Sequence, residues 1–377
     1  MKISKSFTHA RIASALWAAF CALFLLLAGR GVYAIGLDRL EIPAEPETGA
    51  WYRITPEDAL SADGSPWHGM FRKGTENKVL IWFYGGGMSL NEDMASHPGS
   101  FYASRLGHDG AERRGMGSDS LLNPFHTWTV LAIPYSTADL HLGAGEFTWS
   151  DQNGSEKTLF HHGYSNFKAY MEKAMPYLET PEALIISGYS AGGFGAAMLA
   201  DEIITDYFPE TENSTLYVES ALLLRRDWQQ VAEEVWHAPG HLLSHTVSDN
   251  LMLDGLRQLS QHHPGVKILF SSSIRDYILS AFQNYYATGE MNFSSLSGDV
   301  YLQNLRHTAS ELQKLPNTAL FLWKEYYLLA DLTAHTYSDA DTFFLYKLDG
   351  ESTLADWLLD AVSGNLYSLG TGLLDAE

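Results

Sequence analysis

A chain of 377 residues with 46% hydrophobic side chains is long enough to bury a large core, which excludes a disordered or fibrous class. Its 45 acidic against 24 basic side chains give a net charge of −21, which excludes a general nucleic-acid binder and argues against long polyanionic ligands. The single cysteine, Cys21, leaves no disulfide framework and no thiolate metal site.

The N-terminus reads as an export signal. Lys2, Lys5 and Arg11 precede an apolar run over residues 12–28, and Val32-Tyr33-Ala34 offers small residues for cleavage after Ala34. Residues 1–34 are therefore expected to be a signal peptide and the protein secreted or periplasmic. The alternative is an uncleaved, outward-facing membrane anchor, because the 17 residues of the run nearly span a bilayer. The leader holds four of the 24 Lys and Arg and none of the 45 Asp and Glu, so the remainder would carry −25. Cleavage would also remove Cys21 and leave no membrane contact. Residues 35–377 are expected to form a single α/β domain.

In chain order, residues 51–54 suggest a first strand, and residues 79–84 form an apolar, β-favouring run that predicts a buried one. Gly85-Gly86-Gly87 follows directly. A glycine loop after such a strand lets the backbone approach a reacting carbonyl, so Gly86 and Gly87 are expected to donate N–H groups to an oxyanion hole. Residues 91–125 are a polar excursion. Residues 128–134 predict the next strand, and residues 135–149 a second loop at the same edge. That loop carries Asp139 and His141, candidates for positioning substrate. His161-His162 opens a helix through residue 175; adjacent histidines diverge and no carboxylate stands at ligand spacing, so no metal site is expected.

Residues 184–195 read as a strand, a sharp turn and a helix of small residues. Ser190 lies at the centre of Gly188-Tyr189-Ser190-Ala191-Gly192, the pattern of a nucleophile elbow, in which Ala191 would supply the second oxyanion N–H. Residues 216–220 predict a strand. Residues 221–245 read as helical and amphipathic, residues 251–259 as a further helix, and together they suggest a cap over about 221–259. Residues 266–273 predict a strand ending just before Asp276, at the edge where α/β sites gather. A further apolar stretch, residues 320–323, precedes His335, and residues 354–362 predict a closing helix.

Alternating strands and helices argue for a mostly parallel sheet covered by helices. Ser190, Asp276 and His335 stand in the order Ser, acid, His found in α/β-hydrolases; Asp299 and Asp331 compete for the acid's place. A serine hydroxyl is a weak nucleophile, so a histidine must take its proton and a carboxylate must hold the imidazole.

An ordered set of segments resembles the pectin acetylesterase and Notum family, in its cysteine-poor bacterial branch. The segments are Trp82 to Met88, Asn123-Pro124-Phe125, Ile133-Pro134-Tyr135, Asp139 to Gly143, His162 to Asn166, Gly188 to Gly193, His335-Thr336 and the tail from Leu345 to Trp357. The resemblance spans residues 79–364 with gaps. It implies an α/β-hydrolase-like fold with insertions at the C-terminal edge of the sheet, and a Ser-His-Asp triad on Ser190, His335 and Asp276. Two departures fall in a loop: Ser136 stands where many members have cysteine, and Ala138 replaces an expected glycine.

The expected activity is an exported serine carboxylesterase that deacetylates a polysaccharide or a related ester, with no metal or organic cofactor. A lipid-ester hydrolase of Notum type and a non-catalytic glycan-binding protein on the same fold are the alternatives. Net charge fits a neutral acetylated glycan or small ester better than a polyuronate.

Overall fold

The structure, a computed structural model, describes residues 40–375 apart from 108, 109, 152, 326–329, 349 and 351. The expected leader lies outside the described residues. No helix among them is long and apolar enough to cross a membrane.

The fold is an eight-stranded sheet in the order β1-β2-β4-β3-β7-β8-β9-β10. The strands are β1 (Trp51–Ile54), β2 (Gly69–Arg72), β3 (Lys78–Phe83), β4 (Thr129–Ile133), β7 (Ala183–Tyr189), β8 (Ser214–Glu219), β9 (Lys267–Ser273) and β10 (Thr318–Trp323). From β4 to β10 every neighbouring pair is parallel; β1 and β2 add an antiparallel edge. The parallel strands are near-continuous apolar runs because both faces are covered. In register, Ile81 of β3 sits between Leu131 of β4 and Ile186 of β7, and all three side chains are fully buried. This mostly parallel, helix-covered sheet is the α/β-hydrolase-like arrangement expected.

Helices α1 (Gly163–Ala174), α2 (Ala191–Glu202), α3 (Trp228–Glu234), α4 (Leu251–His262), α5 (Tyr277–Thr288), α6 (Ser295–Leu312) and α7 (Leu354–Val362) surround the sheet. Seven of the twelve residues of α2 are glycine or alanine, so neighbours approach its backbone closely. A Cβ placed on Gly255 of α4 would lie 2.6 Å from the Ala197 carbonyl oxygen of α2. α4 thus packs closely on the elbow helix.

Two segments depart from the sequence reading, and a third carries helices it did not address. Residues 221–245 are not one helix: only α3 and one turn at Gly240–Leu243 are helical. The first of these ends at Glu234, after which Trp236 folds back on Trp228 in one buried cluster and His237 takes φ 52°. The loop after β4 contains a hairpin, β5 (Gly145–Ser150) with β6 (Glu156–His161). Its side chains alternate between partly buried and exposed on β5, so no apolar run betrays it. Residues 276–317 carry α5 and α6, capped by Asp276 and Ser294.

The α2–α4 contact gives a test of the packing. Gly255→Ala is expected to destabilise by about 1–3 kcal/mol through overpacking, read as a lower urea midpoint at unchanged slope. In an exposed helix the same change would stabilise by about 1 kcal/mol, so the sign decides.

Candidate active site

Ser190 stands between β7 and α2 with φ 53° and ψ −126°. That conformation is strained for an L-residue and persists only where the surroundings over-determine it. They do so here. The Ser190 N–H donates to the Glu219 carbonyl at 2.9 Å, and the Ser190 carbonyl accepts the Gly193 N–H at 2.9 Å. A Cβ on Gly188 would lie 2.0 Å from the Gly192 carbonyl oxygen, and one on Gly192 2.2 Å from that of Phe83. Only glycine fits either place, so the turn can close against β3.

The glycine loop lies directly over the serine: a Cβ on Gly85 would sit 2.6 Å from the Ser190 Cβ. Gly87 takes φ 80°, and a Cβ there would lie 1.9 Å from the Phe101 carbonyl oxygen. Two bonds tie this loop to the excursion that follows, Met88 N–H to Phe101 O at 3.0 Å and Ala103 N–H to Gly86 O at 2.8 Å. The N–H groups of Gly86 and Gly87 have no hydrogen-bond acceptor among the described residues. Ala191 is the first residue of α2, so its N–H belongs to the unpaired donors of a helix start.

Asp139 and His141 lie in the wall of this loop, 0% and 2% exposed. Asp139 accepts from the Thr137 hydroxyl at 2.7 Å, the His141 N–H at 3.1 Å and the Gly163 N–H at 2.7 Å. Burial raises its carboxyl to about 6 against those bonds. The His141 imidazole donates from Nε2 to the Tyr84 carbonyl at 2.9 Å, immediately before the glycines. Burial lowers it to about 4, so it is neutral. Ala138, Leu140 and His141 all have positive φ, at 60°, 55° and 64°. The absent glycine at position 138 therefore leaves an alanine in left-handed backbone. Both polar side chains point to loop backbone, not toward the serine. His161 is likewise buried and bonds the Thr137 carbonyl at 2.9 Å.

Asp276 ends the loop after β9 and caps α5. One carboxylate oxygen accepts the Ile278 and Leu279 N–H groups at 3.0 and 2.9 Å. The other accepts Nδ1–H of His335 at 2.7 Å. Asp276 is fully buried; His335 is 15% exposed in its side chain. Burial pushes the His335 pKa down, but the Asp276 charge and bond outweigh it, and the net shift is upward. His335 Nε2 is buried without a hydrogen-bond partner among the described residues. The pair is set by a short bridge between Asp276 and Thr333, in which Thr333 N–H donates to Arg275 O at 2.9 Å and Tyr277 N–H to Thr333 O at 3.1 Å. Of the competing acids, Asp299 pairs with the Arg275 guanidinium, and Asp331 gives only its carbonyl to Arg275, at 2.8 Å.

The two halves meet through Glu219 and Ser220. Glu219 O holds the Ser190 N–H, while the Ser220 hydroxyl donates to the His335 carbonyl. Sequence reading missed both residues. A signal existed: Glu219, like Asp276, lies at the C-terminal edge of a buried parallel strand.

Known proteins bear on this arrangement in three ways. The sequence matches the pectinacetylesterase family over residues 53–261. The fold is similar to that of the Wnt deacylase Notum from Drosophila in two crystal forms. The TM-scores are 0.61 and 0.56 at 14% identity, covering 84% of this chain and 95% of the other. No curated protein sequence matches. Because the family match covers more than half of the chain, the protein belongs to the pectinacetylesterase family, on an α/β-hydrolase-like fold.

Proposed function

We propose that this protein is an exported serine carboxylesterase that removes O-acetyl groups from a neutral polysaccharide or a related ester. The observation that carries the reading is the Asp276–His335 bond of 2.7 Å at the same sheet edge as the strained Ser190 elbow. His335 Nε2 takes the Ser190 hydroxyl proton as the oxygen attacks the ester carbonyl, and it returns that proton to the leaving alkoxide. Asp276 fixes the tautomer that leaves Nε2 free and stabilises the imidazolium. The N–H groups of Gly86, Gly87 and Ala191 face the developing oxyanion, each worth on the order of 3 kcal/mol. Water then cleaves the acyl-enzyme with His335 as base.

The leader in residues 1–34 supports export, and residues 35–377 are read as one domain. The charge of −25 that cleavage would leave supports a neutral glycan over a polyuronate. Fold similarity to a deacylase keeps a fatty-acyl ester as the second reading. His141 acts on the reaction through the Tyr84 carbonyl that leads into the glycine loop, and Asp139 through the His141 backbone that it holds.

Ser190→Ala and His335→Ala are expected to lower kcat for p-nitrophenyl acetate by roughly 10³-fold or more. Activity surviving Ser190→Ala would remove it as nucleophile; glycan binding by an inactive wild type would favour a non-catalytic role. Rates on acetate through palmitate esters separate the two enzymatic readings, with acetate expected fastest. Neutral His335 is the base, so kcat/KM rises with pH and levels off above its raised pKa. Asp276→Asn removes the charge that raises it and moves this limb to lower pH. Asp139→Ala strands buried donors and is expected to destabilise by about 1–3 kcal/mol, read as a lower Tm.

A further inference from the structure

One buried carboxylate beside the proposed triad takes no direct part in its chemistry. Glu219 ends β8, the neighbour of the strand that carries Ser190, and is 0% exposed. Its carboxylate accepts the Tyr337 N–H at 2.8 Å, the Ser338 N–H at 3.0 Å and the Ser338 hydroxyl. Its carbonyl accepts the Ser190 N–H at 2.9 Å. One residue therefore grips the backbone of the nucleophile and the chain two and three residues beyond His335.

Ser220 strengthens the joint. Its N–H donates to the Ser271 carbonyl at 2.9 Å, and its hydroxyl reaches the His335 carbonyl. It takes φ 48°, a strained conformation that this bond helps to fix. The need for such a joint is plain from the backbone. Residues 334–336 lie in no helix or strand. Upstream, the Thr333 bridge fixes the chain against Asp276; downstream, Glu219 and Ser220 fix it against Ser190.

The choice of a carboxylate is itself informative. Burying one without a cation is costly, and no lysine or arginine among the described residues pairs with Glu219. Burial, with the Asp339 charge nearby, pushes it up to about 7, against the bonds from Ser338 and Tyr337. The groups that face it are the Tyr337 and Ser338 donors, the charges of Asp339 and His335, and Tyr217 of β8. Where it is ionised, it adds a smaller pull to those of Asp276 and Asp339 toward protonated His335.

We propose that Glu219, seconded by Ser220, is a positioning residue for the reaction: it locks the His335 loop to the Ser190 backbone and so sets how the imidazole meets the nucleophile. The inference rests on the triad reading. Glu219→Gln keeps the shape, removes the charge and turns one acceptor into a donor facing the Tyr337 and Ser338 donors.

The test uses the full-length protein and p-nitrophenyl acetate, with active sites counted by a fluorophosphonate. Per active site, Glu219→Gln is expected to lower kcat about tenfold or more with KM within about threefold. Glu219→Asp keeps two acceptors on a shorter arm and is expected to recover part of the lost kcat. A residue that served folding alone would reduce the count of active sites and leave kcat per active site at the wild-type value, which overturns the proposal. Should Glu219→Gln not fold, Ser338→Ala and Ser220→Ala each remove one bond of the joint, and wild-type kcat in both overturns it. Ser190→Ala is the control: if it stays active, the triad reading falls; if it is dead while Glu219→Gln matches wild type, only the positioning role falls.

Discussion

The close approach of backbone to backbone at the elbow is the constraint on which the site depends. Gly188, Gly192 and Gly85 each leave no room for a Cβ, and through them β3, β7 and the start of α2 come into direct contact around Ser190. The strained serine is held by this contact and by one hydrogen bond to Glu219. Any side chain at those glycines would push the serine away from the glycine loop, and the proposed acyl transfer would tolerate little such displacement.

Around that fixed point the site is assembled from segments far apart in the chain. The Asp276–His335 pair spans 59 residues and the Glu219–Tyr337 bond 118. Loops carry most of these groups, yet little is left to loop flexibility. Asp276 is held as a helix cap, His335 between two tethers, and the approach to the glycine loop by the buried His141, which bonds the Tyr84 carbonyl. Buried carboxylates recur in this scheme: Asp139, Glu219 and Asp276 are each bound by main-chain N–H groups, and no lysine or arginine among the described residues pairs with any of them. They orient loops through several backbone donors at once, which a hydrophobic residue cannot do.

What the sequence made legible follows from how local each signal is. Residues 79–83 and 184–189 read as strands because both faces of a parallel sheet are buried and the runs are continuously apolar. Residues 354–362 read as a helix from their amphipathic period, and the structure adds a Thr353–Asp356 capping box at its start. The elbow was legible as strand, turn and small-residue helix, and Asp276 and His335, singled out through the family resemblance, are hydrogen-bonded to each other in the fold. The hairpin at 145–161 was not legible because β5 has no buried face. The run at 221–245 misled because Trp228, Val231 and Trp236 are apolar for a cluster, not for one helix face. Glu219 escaped notice because a charged residue at a strand end ordinarily means solvent, and its partners lie more than a hundred residues away. The roles of Asp139 and His141 were blurred for the same reason: their partners, Gly163 and Tyr84, belong to other segments.

The central claim is that Ser190 is an activated nucleophile. It is tested most directly by labelling the purified protein with a fluorophosphonate and mapping the adduct by peptide mass spectrometry. The account predicts one adduct, on the peptide carrying Ser190, whose formation slows sharply in His335→Ala. An adduct on another serine, or an unlabelled Ser190 in a protein that still hydrolyses esters, would contradict it.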